Sequence, residues 1–280
     1  MKNNPVSPFI YLGTAAVVLL IGAVLLLCVF INRENRFRDV IAELRENLKE
    51  RDEQISSMRS ELAALKGETD TAPDETDSDT YRYLAIGNSL TWHRKCDYWW
   101  NECGMAASRA ENDFVHVVVR GLEEKYGKVS YTAYNFSVWE ITAHDRIQTV
   151  QAIDSMLTED LDLITLQLGE NVTDLSTFAV DYDELIRYIQ DKCPNTMLII
   201  VDEYKNQTKS TIKEVIAERH NLPFADLTEM QNNPEYLSSM GATVYDEEGN
   251  PHIIDHTGVA GHPGDKGMKF IGDAILALLP

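Results

Sequence analysis

The sequence is poor in cysteine and in metal-binding motifs. Its 280 residues include only four cysteines, Cys28, Cys96, Cys103 and Cys193. None of them lies in a Cys-x-x-Cys pair or in a Cys/His set with metal-ligand spacing. We therefore predict no metal site and no cofactor. Cys96 and Cys103 either pair or stay free thiols, and the spacing is compatible with both.

Positive charge is also scarce. Lys and Arg number 25 against 45 Asp and Glu, which gives a formal net charge of -20. The excess persists in residues 80–280, which hold 31 acidic and 16 basic residues. Such a surface repels phosphate backbones and anionic headgroups. We expect no nucleic-acid partner, and the charge favours a neutral or cationic one.

Only one long hydrophobic run is present, at residues 9–31, and it contains no charged residue. With a rise of about 1.5 Å per residue, a helix of this length crosses a hydrocarbon core of roughly 30 Å. A cleaved signal peptide would have a shorter apolar region and a small-residue cleavage site, which is absent. We therefore predict an N-terminal tail at 1–8 and a retained single-pass transmembrane helix at 9–31.

Two signals disagree about the orientation of this helix in the membrane. Arg33, Arg36 and Arg38 follow it, and positive residues favour the cytoplasmic side. The short tail and the acidic, Thr-rich stretch at 67–80 instead resemble those of surface-displayed bacterial enzymes. We predict an extracytoplasmic C-terminal domain, and the cytoplasmic alternative stays open.

A heptad pattern follows the hydrophobic run. Apolar residues alternate at spacings of four and three from Phe37 to Leu65, with the polar interruption Arg51. The pattern is typical of a coiled coil, in which one polar core residue fixes register and strand number. We predict a stalk at 32–66 that makes the protein a homo-oligomer, with a lone amphipathic helix as the alternative. Residues 67–80 combine dense acidic charge with low hydrophobicity, which predicts a flexible linker.

From Tyr81 onward, apolar strand-like runs alternate with helical patterns, and no internal repeat is present. We predict strands at 82–87, 129–136, 161–168, 196–202 and 222–227. We predict helices at 97–108, 112–126, 143–157, 181–192 and 209–220, and a last one after Pro263. Strands separated by helical connections indicate a mainly parallel sheet with helices on both faces, in a domain spanning 81–280.

Polar residues follow the predicted strands at three turns that carry chemistry. The first strand runs into Gly87-Asn88-Ser89, the third into Gly169-Glu170-Asn171, and His262-Pro263 precedes the last helix. In a doubly wound sheet such turns converge on one edge. A hydroxyl, an amide and an imidazole are the nucleophile, oxyanion donor and general base of acyl transfer. The alternative for Asn88-Ser89 is that it merely caps a helix.

In this order, Gly87-Asn88-Ser89-Leu90, Gly169-Glu170-Asn171 and His262-Pro263 resemble the sequence blocks of the SGNH hydrolases, also called GDSL esterases or lipases. The resemblance covers about residues 81–280. It implies a flavodoxin-like three-layer α/β/α sandwich and hydrolysis of esters, often O-acetyl groups on carbohydrates. It also implies that Ser89 is the nucleophile, that His262 is the general base, and that the Asn171 amide and the Ser89 backbone N–H bind the oxyanion.

Three departures from the family pattern stand out. Asn88 replaces the usual aspartate before the serine, and Glu140 replaces a glycine whose N–H belongs to the oxyanion hole. Glu140 would keep that backbone N–H, and Gly169 is a further backbone candidate. Val259 stands where the family has the acid that orients the histidine. We predict either a Ser–His dyad or a substitute partner, Asp255 first and a backbone carbonyl second.

Four residues are candidates for contact with the substrate: Asn88, His93, Trp139 and Glu170. Each lies in or beside a turn that should face the cleft. The leading prediction is a membrane-anchored serine esterase acting on acylated small molecules or acylated carbohydrate. The alternatives are an O-acyltransferase with the same serine and histidine, and a catalytically weakened glycan-binding or scaffold domain, which Val259 and Glu140 motivate.

Overall fold

The computed structural model describes residues 79–143 and 145–280. Within them, five parallel strands form a sheet in the order β2-β1-β3-β4-β5. The strands are β1 (Tyr81–Gly87), β2 (Val129–Asn135), β3 (Leu163–Gln167), β4 (Met197–Val201) and β5 (Phe224–Ala225). This is the doubly wound order of flavodoxin-like folds, in which ligands bind beyond the carboxyl ends of the strands. The predicted parallel α/β architecture is confirmed.

Helices connect the strands. They are α1 (Phe114–Tyr126), α2 (Ser137–Ile141), α3 (Arg146–Thr149), α4 (Phe178–Lys192), α5 (Gln207–Arg219), α6 (Thr257–Ala260) and α7 (Asp265–Leu276). Short 3-10 helices lie at Ala110–Asn112, Val150–Met156, Thr228–Met230 and Pro234–Tyr236. A small antiparallel hairpin, β6 (Thr243–Tyr245) with β7 (Pro251–Ile253), follows β5.

Both faces of the sheet are buried. Along β1, Leu84 and Ile86 belong to one hydrophobic core, whereas Tyr83 and Ala85 belong to the core on the other face. Side chains alternate between the faces of a strand, so a strand covered on both sides reads as a continuous apolar run. Apolar residues of α4 and α5 fill the first core, and those of α1 and α7 fill the second.

The helix predicted at 97–108 is wrong. This segment forms turns and isolated antiparallel bridges, including one between His93 and Cys103. Its apolar residues, among them Trp99 and Cys103, pack into a third core against Val244 and Val259. Tertiary burial of these side chains therefore outweighs their local helical pattern. Cys96, Cys103 and Cys193 are all free thiols.

Two further elements differ from expectation. The helix predicted at 143–157 is only α3 followed by the 3-10 helix at Val150–Met156, and the β6–β7 hairpin was not predicted. The strands of the hairpin have three residues each, too few for an alternating pattern to be recognised.

The predicted transmembrane helix at 9–31 and stalk at 32–66 lie outside the described residues, as does the linker at 67–80 apart from its last two residues. In the part of the chain that the structure describes, no helix has both the length and the apolar character to span a bilayer.

Candidate active site

The end of β1 fixes the position of Ser89. A Cβ atom on Gly87 would lie 1.9 Å from Thr91 Oγ1 and 2.7 Å from the backbone oxygen of Gln167, so only glycine fits between β1 and β3 here. The backbone N–H groups of Thr91 and Trp92 both donate to Asn88 O, at 3.0 and 3.1 Å. The chain makes a tight turn after β1, and Ser89 is held at the carboxyl edge of the sheet.

His262 lies against this serine although 173 residues separate them in the chain. Ser89 Oγ is 2.7 Å from His262 Nε2, and His262 Nδ1 is 2.6 Å from the backbone oxygen of Gly258. A carbonyl oxygen only accepts hydrogen bonds, so Nδ1 must carry the proton. In the neutral ring Nε2 then has a free lone pair, which accepts the serine hydroxyl proton.

The partner of His262 Nδ1 is thus a backbone carbonyl and not Asp255, the first candidate from the sequence. Asp255 is exposed, and no hydrogen bond among the described residues joins it to the imidazole. Gly258 lies in α6, a single helical turn whose final carbonyls have no partner within the helix. Val259 points away into the third core and is fully buried.

The environment of His262 keeps the imidazole neutral. Burial, the positive charge of Lys205 and, less strongly, His93 lower the pKa of His262 to about 4, although the Gly258 carbonyl opposes this shift. At neutral pH the ring is therefore unprotonated and able to accept a proton. A neutral carbonyl also stabilises the imidazolium less than a carboxylate does, so the proton-accepting step gains less here than in a Ser-His-Asp triad.

Asn171 lies at the mouth of the site and is exposed to solvent. Its side-chain Nδ2 donates one hydrogen bond to Glu140 Oε2, at 2.6 Å. An amide nitrogen carries two hydrogens, so one remains for a ligand. The backbone N–H of Ser89 donates to no other described residue and is a second available donor.

The Glu140 side chain turns inward and accepts hydrogen bonds from groups that were predicted to bind the substrate oxyanion. Its Oε1 accepts from the Gly169 N–H at 2.6 Å, so Gly169 does not offer this N–H to an oxyanion. Glu140 is buried, and its desolvation together with the nearby Glu170 raises the pKa of its carboxyl, while hydrogen bonds from Asn171, Gly169 and Asn88 oppose the rise.

Two of the four residues predicted to contact the substrate are buried. The prediction for Trp139 is wrong, because its ring is fully buried and packs against Phe178 and Tyr182. Asn88 is also fully buried, and its amide binds protein groups instead. Large apolar area drives the tryptophan inward even from a turn beside the cleft.

His93 and Glu170 are each half-buried near the site. His93 Nδ1 lies 2.7 Å from the backbone oxygen of Arg94. Glu170 Oε2 accepts from Gln167 Nε2 at 2.6 Å and from Asn88 Nδ2 at 2.7 Å, so this oxygen faces the protein.

Two buried lysines support the Asn171 turn and were not predicted. Lys209 Nζ donates to the backbone oxygens of Gly169 and Glu170, at 2.7 and 3.0 Å, and Lys213 Nζ donates to that of Leu168 at 2.7 Å. By holding these carbonyls, the two ammonium groups fix the turn. Their four-residue spacing on α5 was the available signal, since it places both on one helix face.

Glu203, two residues after β4, is a further buried carboxylate at this edge. Burial and the Glu170 charge raise the pKa of Glu203 to about 7, and Lys213 and Lys209 limit the rise. Within the described residues, no group of three or more His, Cys, Asp or Glu side chains is arranged to hold a metal ion.

Comparisons with known proteins give structural likenesses only. No protein-family model and no curated protein matches the chain. A two-domain esterase active on acetylated mannans is 14% identical, with a TM-score of 0.46, over 71% of this chain and 49% of its own. The chain thus spans about half the length of that esterase.

Two other solved structures align with this chain over most of their own length. A catalytic mutant of an acetylxylan esterase from Geobacillus stearothermophilus is 14% identical, over 70% of this chain and 93% of its own, with a TM-score of 0.45. A member of the lipolytic G-D-S-L family from Veillonella parvula is also 14% identical, over 71% and 98%, with a TM-score of 0.43. Scores this low assign no activity, which has to be inferred from the side chains.

Proposed function

We propose that this chain is a serine ester hydrolase of the SGNH type. The observation that carries the proposal is the 2.7 Å contact between Ser89 Oγ and His262 Nε2, with the Nδ1 proton held by a carbonyl. This is the geometry of a nucleophile and its general base, in which the base is oriented by a third group.

The reaction follows from the protonation states. Ser89 Oγ attacks the acyl carbon while its proton passes to His262 Nε2, and the carbonyl oxygen becomes an oxyanion. The Ser89 N–H and the free hydrogen of Asn171 Nδ2 stabilise that charge. The imidazolium returns the proton to the leaving alcohol. Water then attacks the acyl carbon while one of its protons passes to the same nitrogen, and the imidazolium returns that proton to Ser89 Oγ as the carboxylic acid leaves.

The proposed substrates are acetyl esters on carbohydrate. The sequence resemblance implies this class, and the acidic domain surface suits a neutral partner better than a phosphorylated one. The mannan and xylan esterases named above act on substrates of this kind. Attachment to a membrane through 9–31 and oligomerisation through 32–66 belong to the proposal as sequence predictions.

The test is hydrolysis of an aryl acetate and of acetylated xylan by the full chain and by Ser89→Ala. We expect Ser89→Ala to abolish both activities while it keeps the wild-type circular dichroism spectrum. Ser130→Ala, which changes an exposed serine on β2, is the matched control and should keep full activity. Equal activity of Ser89→Ala and wild type would overturn the proposal.

Among the described residues, His262 Nδ1 is held by a carbonyl and by no carboxylate, which favours a second candidate, a domain that binds acylated glycan with little turnover. Binding of acetylated xylan without release of acetate, by a wild-type chain whose Ser89 is not labelled by a serine-reactive phosphonate, would support it. Transfer to a sugar hydroxyl is distinguished by product analysis with a sugar acceptor present.

A further inference from the structure

The Glu140 carboxylate joins the turn that carries Ser89 to the turn that carries Asn171. It is 1% exposed, and four N–H donors surround it. Oε1 accepts from Asn88 Nδ2 at 3.1 Å, from the Gly169 N–H at 2.6 Å and from the Asn171 N–H at 3.3 Å. Oε2 accepts from Asn171 Nδ2 at 2.6 Å. One side chain therefore satisfies donors from both turns.

This contact decides how the Asn171 amide is oriented. The backbone N–H groups of Gly169 and Asn171 donate to Oε1, and Oε2 accepts from the Asn171 side chain. A carboxylate that accepts at both oxygens requires the NH2 end of the amide and excludes the carbonyl end. With one hydrogen on Glu140, the other lies about 120° away in the amide plane, because the nitrogen is trigonal. Glu140 is buried whereas Asn171 is exposed, so this second hydrogen is the one available at the mouth of the site.

Asn88 completes the same network. Its Nδ2 donates to Glu140 Oε1 at 3.1 Å and to Glu170 Oε2 at 2.7 Å, and its Oδ1 accepts from the Leu90 N–H at 3.1 Å. A neutral amide thus lies between two carboxylates, directly before Ser89. A third carboxylate at this position would face two acceptors without a donor.

We propose that Glu140 is a positioning residue that aims the Asn171 amide at the reacting acyl oxygen and, through Asn88, fixes this amide relative to Ser89. The inference rests on the proposed function, because it concerns the oxyanion site of that reaction. Glu140 itself does not touch the substrate. Its contribution to the rate passes through Asn171.

A double-mutant cycle on kcat tests this route. We expect Asn171→Ala to lower kcat for an aryl acetate by about 10²–10³-fold, the usual loss for one oxyanion donor. Glu140→Gln places a side-chain NH2 group among the N–H donors of Asn88, Gly169 and Asn171. We expect this variant to lower kcat at least about 10-fold with KM nearly unchanged. Glu140→Gln combined with Asn171→Ala should be no slower than Asn171→Ala alone, because the positioned group is already missing.

Asp183→Asn is the matched control, since Asp183 is a buried carboxylate that pairs with Arg187, Arg219 and His220 and contacts neither Ser89 nor Asn171 through any hydrogen bond among the described residues. It should lower the melting temperature and leave kcat per phosphonate-labelled site unchanged. The proposal is overturned if Glu140→Gln keeps the wild-type kcat. It is equally overturned if the losses of Glu140→Gln and Asn171→Ala multiply in the double variant.

A measurement on the wild-type chain is independent of activity and of whether a variant folds. Nitrogen-15 NMR of asparagine side chains should show a rigid Asn171 amide with one deshielded, slowly exchanging hydrogen. The exposed Asn232 should show an averaged amide. An averaged Asn171 amide would overturn the positioning role. A rigid Asn171 amide in a chain without esterase activity would leave the positioning intact and refute only the proposed function.

Discussion

The first prediction concerns the acid limb of the pH–rate profile, which should lie near the low pKa of His262. Burial and the Lys205 charge lower the pKa of His262 from 6.5 to about 4. This difference corresponds to about 3 kcal/mol against the imidazolium. Only the neutral ring accepts the Ser89 proton, so kcat/KM should stay level from pH 7 to about pH 5 and fall to half near pH 4. The assay is hydrolysis of an aryl acetate, since kcat/KM reports the ionisation of the free enzyme.

Lys205→Gln tests the cause of the shift. Removal of a positive charge favours the imidazolium, so the acid limb should move to higher pH. Lys269→Gln, which changes an exposed lysine on α7, should leave it in place. An acid limb at pH 6.5 or above in the wild type would refute the reasoning, as would an unchanged limb in Lys205→Gln when circular dichroism shows both chains folded.

Stability should respond to pH with opposite signs at two groups. For His262 the folded pKa lies below the unfolded one, so the unfolded chain binds more protons between pH 6.5 and about 4 and stability falls as pH falls through this window. For Glu203 the folded pKa is raised to about 7, so stability falls as pH rises from about 4.5 to 7. These opposing slopes make the kinetic profile the cleaner assay for His262.

Three substitutions test the remaining structure. Asn171→Ala should lower kcat by about 10²–10³-fold with little change in KM, measured by steady-state kinetics; a change confined to KM would contradict its role as an oxyanion donor. In the wild type the Arg146 guanidinium lies 2.7 Å from the buried carboxylate of Asp181. Arg146→Ala leaves this carboxylate without its cation and should lower the free energy of unfolding by about 3–5 kcal/mol. Urea unfolding measures this loss, and a loss below about 1 kcal/mol would contradict the prediction. Gly87→Ala forces a Cβ within 1.9 Å of Thr91 Oγ1 and should reduce both folded yield and activity, whereas wild-type melting would show that the turn is not as tight as described.

The parallel sheet could be predicted from the sequence because its strands give strong local signals. Continuous apolar runs mark strands that are buried on both faces, and the strand-end rule places the turns after them on one edge. That rule brings the turns of Ser89 and Asn171 to one edge, and the resemblance to the SGNH blocks implied the roles of both residues and of His262.

What the sequence could not supply depends on contacts between distant segments. The Nδ1 partner of His262 is a backbone carbonyl, which any residue provides, so no side chain at Gly258 signals it. The roles predicted for Trp139 and Glu140 depend on their position in a turn at the cleft. Packing decides where their side chains point, and both are buried. The segment at 97–108 has a helical pattern that burial of Trp99 overrides.

Labelling with a serine-reactive phosphonate, followed by peptide mass spectrometry, tests the central claim most directly. The account predicts stoichiometric label on the peptide that contains Ser89, and labelling that is slowed at least about 10²-fold by His262→Ala, the lower range for loss of a general base. A folded chain that takes no label at Ser89, or takes it equally fast without the imidazole, would contradict the account.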